Sequence, residues 1–177
     1  MPKRIAALRE NILRVSRETL LGGGFDGLTI RAVARECGVA VGTVYNYFPS
    51  KEVLVASIML EDWVRALERM QERAASAADA IAGLRAVFDE IRAFAGLYEG
   101  AWAQYSARCD PAPVIRSRHR QLIEQLEAVI RPLTERFGCL FHLSLPGFLA
   151  ETLLAVSLNP DAGFDGLTPV LERLLRP

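Results

Sequence analysis

Residues 29–51 read TIRAVARECGVAVGTVYNYFPSK, and the spacing of small, apolar and glycine positions in this stretch predicts a helix-turn-helix. Two short helices fit, over 30–37 and 41–48, with Gly38, Val39 and Ala40 as the turn between them. Ala34 falls where the helices cross, and only a small side chain lets the second helix approach there. Gly38 falls just past the first helix, where the chain reverses and a left-handed residue costs least. Val33, Cys37, Val39 and Val44 supply the apolar contacts that hold the helices at a steep angle. Val39 and Val44 also stand at the spacing of a hydrophobic staple around a start at Ala40, and Phe48 is assigned to the core. Together these positions specify a DNA-reading unit.

Working outward, Ile5, Leu8, Ile12 and Val15 recur at three- and four-residue steps and predict an upstream helix over 4–21, ended by Gly22, Gly23 and Gly24. Thr29 suits the N-cap of the next helix. Downstream, Pro49 breaks the run and Ser50 can cap a long helix from 51 to about 75, with Val53, Leu54, Ile58, Trp63, Leu67 and Met70 as its buried face. Residues 76–79 form a joint. Helical patterns follow over about 80–97, on to about 108, then 113–137 and 145–158, with a last helix from near Thr168 and Pro169. Neither β alternation nor an internal repeat is visible. The expectation is an all-α protein: a three-helix head over 1–50 and a helical-bundle body over 51–177.

The chain has 177 residues, 51% hydrophobic and 24% charged, which suits one compact body or a small module fused to a larger one. Its longest uncharged runs, 37–50 and 137–150, are 14 residues each, too short to cross a bilayer. With no signal peptide in evidence, a cytoplasmic protein is expected. Cys37, Cys109 and Cys139 are odd in number and widely spaced, so reduced, buried thiols are expected in place of a disulfide framework or zinc site. Net charge is zero, yet residues 1–51 hold eight Lys and Arg against four Asp and Glu. A basic front on an acidic body suits a protein that offers one end to a polyanion.

Across about 5–55, the helix, the GGFDGLT segment, the helix-turn-helix and the string VGTVYNYFPSKEVL resemble the TetR family of bacterial transcription regulators. The resemblance implies an all-helical homodimer. In it a DNA-binding head is joined by the fourth helix to a body that holds a small-molecule effector pocket and the dimer interface. The family usually has serine where this chain has Ala40, so one hydroxyl that would cap the recognition helix and meet a phosphate is missing.

A helix fits the major groove, where base edges present distinguishable donors, acceptors and methyl groups. On the exposed side of 41–48, Asn46 can bond an adenine edge, Thr43 and Val41 can meet thymine methyls, and Gly42 lets the backbone come close. Tyr45 and Tyr47 are expected at phosphates, where contacts fix register rather than sequence. Lys51 adds a cation at a helix N-terminus, and Thr29 and Arg31 are expected to clamp the DNA backbone.

For the body, the resemblance suggests a pocket for a mainly apolar molecule, with Trp63, Phe88, Phe94, Trp102, Tyr105, His119 and Phe148 as candidate walls. Arg116, His142 and Glu151 are further polar candidates. The leucine-rich terminal helices suggest a two-fold interface through Leu149, Leu153, Leu154, Val170, Leu171 and Leu174. The rival reading, an enzyme or a plain ligand carrier, finds no G-x-S-x-G, no paired-histidine metal spacing and no Gly-rich phosphate loop. No catalytic residue, metal or cofactor is therefore expected.

Overall fold

The computed structural model describes residues 2–106, 112–138 and 145–175, with side chains for all of these but 2–5, 102, 105, 106 and 112–117. Eight helices follow in chain order: α1 (Pro2–Gly27), α2 (Ile30–Glu36), α3 (Val41–Tyr47), α4 (Lys51–Ala75), α5 (Ala80–Ser106), α6 (Ala112–Arg136), α7 (Leu145–Ser157) and α8 (Phe164–Leu174). No strand occurs among the described residues. This is the all-α architecture expected from the periodicity, with a helix-turn-helix near the front.

Helix boundaries follow from local chemistry. Thr29 is extended, and its hydroxyl accepts the Ala32 N–H at 3.2 Å, capping α2. Gly38 turns the chain with φ +67°, and the Val39 N–H closes the turn on the Ala34 carbonyl at 2.9 Å. The Ser50 hydroxyl accepts the Val53 N–H at 3.2 Å and starts α4. Gly138, at φ +68°, follows the end of α6.

Three boundaries differ from the sequence expectation. The three glycines do not end α1: Gly24 bends it, at φ 68° and ψ −172°, and helical structure resumes to Gly27. The separate helices expected over 80–97 and on to 108 are one continuous helix, α5, because nothing between them removes a backbone donor. The last helix starts at Phe164, capped by Gly163, so Pro169 lies inside it rather than in its first turn.

The chain forms two compact units, Met1–Trp63 with Leu97–Asp110, and Val64–Gly96 with Pro111–Pro177. Both α4 and α5 therefore contribute to each unit, which the boundary expected at residues 50 and 51 does not anticipate. In the first unit Ile12, Leu20, Leu28, Val44, Phe48, Leu54 and Ile58 are fully buried. Each such side chain contributes roughly 1.5–3 kcal/mol of hydrophobic stabilisation. In the second unit the equivalent core is Met70, Leu84, Ile91, Leu126, Ile130 and Leu149.

The face expected for α4 holds with one correction. Leu54, Ile58, Trp63 and Met70 are buried and Leu67 is half-buried, but Val53 is 44% exposed. Leu54 takes the inward direction in that turn, and a neighbouring residue on a helix points about 100° away.

Candidate nucleic-acid interface

Helix α3 is two turns long, and its orientation is fixed by what it buries. Val44 is fully buried at its centre and Phe48 is buried just past its end. That leaves Val41, Gly42, Tyr45 and Asn46 exposed, with Thr43 and Tyr47 half-buried on the flanks. Ala34 and Val33 of α2 are buried, consistent with their roles at the helix crossing. The Tyr47 ring is tilted 34° to that of Phe48, centroids 6.5 Å apart, so Tyr47 rests on the core while Tyr45 stands clear of it.

Thr29 and Arg31 are both exposed at the opening of α2. Lys51 does not extend freely into solvent: its ammonium lies 4.0 Å from the centroid of the Phe25 ring, a cation–π contact that fixes the charge beside the start of α4. At that same helix start, the Ser50 hydroxyl and the backbone N–H hold the Glu52 carboxyl below its usual range. Ala40 begins α3 with no side-chain cap, as expected from the missing hydroxyl.

The basic front is less positive than its residue count suggests. Arg9 pairs with Glu61 at 3.4 Å, Arg14 with Glu18 at 2.9 Å and Arg17 with Asp62 at 2.7 Å. Arg9, Arg14 and Arg17 of α1 are thus matched by carboxylates, two of them supplied by α4. Arg31 and Arg35, one turn apart on α2, are both exposed and, among the described residues, make no ion pair. Cys37 is half-buried rather than buried, and desolvation pushes its thiol pKa up. Cys109 and Cys139 lie outside the described residues.

The structure places five of the residues expected to line an effector pocket individually. Phe88 is buried and packs edge-on against Phe164, centroids 5.5 Å apart. Trp63 is buried in the first unit, and Phe94 is half-buried. His119 is exposed and paired with Glu151 at 3.0 Å, and Phe148 is 55% exposed. His119 and Phe148 are therefore surface residues, and the His119–Glu151 pair links α6 to α7 at the protein surface. The side chains of Trp102, Tyr105 and Arg116, and all of His142, lie outside the described residues.

The expected dimer residues need the same correction. Leu149 and Leu153 are fully buried, and Leu154 and Leu171 are 7% and 2% exposed. These leucines fill the body's own core and are not available to a second copy. Leu174 is half-buried, and of the six only Val170, at 60%, is exposed.

Sequence reading missed a polar cluster in the first unit. The Tyr98 hydroxyl donates to the Asp62 carboxylate at 2.5 Å, and Arg17 donates to the same oxygen at 2.7 Å. Gln104 of α5 accepts the Asp26 N–H at 2.9 Å. An aspartate within the apolar pattern of α4 was the one available signal, since a buried carboxylate must find donors.

Residues 12–58 match the family model described as bacterial regulatory proteins, tetR family. The chain is 39% identical over 64 positions to the transcriptional regulator UidR of Escherichia coli K12, covering 36% of this chain and 33% of that one. It is 39% identical over 69 positions to the transcriptional repressor KstR of Mycolicibacterium smegmatis, covering 39% and 33%. The matched segment thus spans about a third of the length of these relatives. Over nearly the whole chain the fold is similar to that of a transcriptional regulator from Rhodococcus sp. RHA1, with TM-score 0.68, 18% identity and coverage of 96% and 95%. It is also similar to that of the fatty acid degradation regulator FadR from Bacillus halodurans, with TM-score 0.55, 18% identity and coverage of 94% and 97%.

Proposed function

We propose that this chain, which belongs to the TetR family of bacterial regulators, is a sequence-specific DNA-binding transcriptional regulator. In this reading it is a cytoplasmic repressor that occupies a palindromic operator as a homodimer and is released by a small, mainly apolar effector. The repressor assignment draws on the name of KstR. The effector is carried by the family resemblance, and the apolar body supplies surroundings that suit it.

The observation that carries the reading is the disposition of α3. Val44 anchors the helix from beneath, so that Val41, Gly42, Tyr45 and Asn46 form an exposed strip beside the exposed Thr29 and Arg31. In this strip Asn46 reads an adenine edge, and Thr43 and Val41 meet thymine methyls across the close backbone of Gly42. Tyr45, Tyr47, Thr29, Arg31 and Lys51 hold phosphates and set the register.

The test is selection of duplexes from a random-sequence pool, followed by binding measurements on the winners. Asn46→Ala and Thr43→Ala should each cost roughly 1–3 kcal/mol on the selected site and relax its sequence. Failure to enrich any duplex, or undiminished binding by Asn46→Ala, would sink the base-reading assignment.

Dimerisation is relocated to residues the body leaves exposed. Phe148 and Ala155 lie on the outward side of α7, with Leu158 just past its end, and Phe148 and Leu158 are 55% and 60% exposed. A two-fold pairing through this strip is the proposed dimer contact, and a palindromic operator requires two recognition helices roughly 34 Å apart, one turn of DNA. Phe148→Glu combined with Leu158→Glu should give soluble monomers by sedimentation. A parent protein that sediments as a monomer at micromolar concentration would exclude the pairing.

A further inference from the structure

We infer that Gln104, on α5, is a positioning residue for the helix-turn-helix. The inference rests on the DNA-binding reading above. Gly24 adopts φ 68° and ψ −172°, a conformation open in practice to glycine alone. A Cβ there would lie 2.7 Å from both the Oε1 and Nε2 atoms of Gln104. The carboxamide therefore presents its Oε1–Nε2 edge to the bare backbone of the bend. From that position its Oε1 accepts the Asp26 N–H at 2.9 Å.

A bend in a helix frees N–H groups that the preceding turn no longer serves. Gln104 satisfies one of them from a distant part of the chain, acting as a cap supplied in trans. The capped segment is short and leads directly to the DNA-reading unit. Phe25 and Leu28, on either side of Asp26 and Gly27, enter the core at 8% and 0% exposure. Thr29, the next residue, caps α2. The direction in which α2 leaves the bend is thus fixed at Asp26 by a side chain of α5.

Two further contacts keep α5 in place for this role. Tyr98, six residues before Gln104, donates to Asp62 of α4 at 2.5 Å. Asp62 in turn accepts from Arg17 of α1 at 2.7 Å. The end of α5 is therefore bonded to α1 on both sides of the Gly24 bend, through Arg17 before it and Asp26 after it. The part of α5 from Leu97 onward accordingly belongs to the same compact unit as the head.

The full-length protein tests this with three variants. Gln104→Glu keeps the acceptor oxygen, Gln104→Leu keeps bulk without it, and Gln104→Ala removes both. Binding is measured to a duplex selected by the parent, with hydrogen exchange read at Asp26. A bond that selects the DNA-competent arrangement is worth about a factor of five to ten in affinity when lost. Gln104→Leu should lose that factor and speed exchange at Asp26 by a similar one, while Gln104→Glu stays near the parent in both. Gln104→Ala decides the matter if the leucine variant does not fold. Loss of affinity in the glutamate variant equal to that in the others, or parental affinity in all three, overturns the assignment. If the parent selects no duplex at all, it is the DNA-binding reading that fails, and accelerated exchange at Asp26 still reports the cap.

Discussion

The Tyr98 hydroxyl donates a 2.5 Å hydrogen bond to a carboxylate oxygen of Asp62 that also accepts from Arg17. Tyr98 and Asp62 are 3% and 4% exposed, so the bond is made away from water. Removing the hydroxyl leaves a buried carboxylate with fewer donors, and such a loss costs about 1–3 kcal/mol. Tyr98→Phe should lower the stability of the protein by that amount in denaturant unfolding at neutral pH. An unchanged midpoint would show that water or another side chain replaces the phenol.

The same bond makes a pH prediction. Burial, followed by the hydrogen bond and charge of Asp62, pushes the Tyr98 pKa well above its ordinary value. The folded protein therefore holds this proton more tightly than the unfolded chain, and the associated stability is present below about pH 10. It is lost as pH rises above that value, where the unfolded chain can ionise and the folded one cannot. The parent should lose stability above about pH 10 more steeply than Tyr98→Phe does. Parallel pH–stability curves would remove this account.

Gly83 of α5 tests packing against propensity. A Cβ at this buried position would lie 2.5 Å from Cδ1 and 2.7 Å from Cδ2 of Leu133 on α6. Alanine improves helix propensity over glycine by about 0.5–1 kcal/mol, while overfilling a packed core costs about 1–3 kcal/mol. Leu133 is 3% exposed and has little room to retreat, so the clash should win. Gly83→Ala should be net destabilising by thermal unfolding. A raised melting temperature would mean that Leu133 changes rotamer at little cost.

The pattern of success in the sequence follows from the range of the interactions involved. Thr29, Gly38, Val44 and Ser50 were legible because their caps and contacts lie within a few residues of each other. Phe148 and Leu149 were not: both are apolar neighbours on α7, and only the position of α6 decides that Leu149 goes inside. Val53 failed for the same reason. Gln104 and Gly24 lie eighty positions apart, and neither carries any local sign of the other. Periodicity reports that a helix has an apolar side, but the neighbouring element determines which residues that side contains.

Ala40 offers a prediction of gain. It precedes α3 with φ −67° and ψ 147°, an extended N-cap conformation, but provides no side-chain hydrogen bond. Serine adopts that backbone without strain, and a capping hydroxyl in place of alanine stabilises by about 0.5–2 kcal/mol. Ala40→Ser should raise the stability of the head and, by adding a hydroxyl at the phosphate-facing end of α3, tighten DNA binding at every sequence alike. Tighter binding to the selected site alone would assign residue 40 a base-reading role instead.

Lys51 allows the electrostatic and packing parts of the head to be separated. Its ammonium sits 4.0 Å from the centroid of the Phe25 ring, and Phe25 is itself 8% exposed. The ring holds a charge that would otherwise sample many rotamers, so the cation is already placed when a phosphate arrives. Lys51→Ala removes the charge and should reduce the slope of log affinity against log salt by about one, across all sequences. Phe25→Leu keeps the charge and most of the core volume but removes the aromatic face, which is worth about 0.5–2 kcal/mol to a partly desolvated cation. It should therefore weaken binding while leaving the salt slope at the parental value, since the number of phosphates neutralised is unchanged. Binding isotherms over a range of salt concentrations distinguish the two variants. Equal slopes for Lys51→Ala and the parent would show that the lysine serves only to stack on Phe25 and does not meet the DNA.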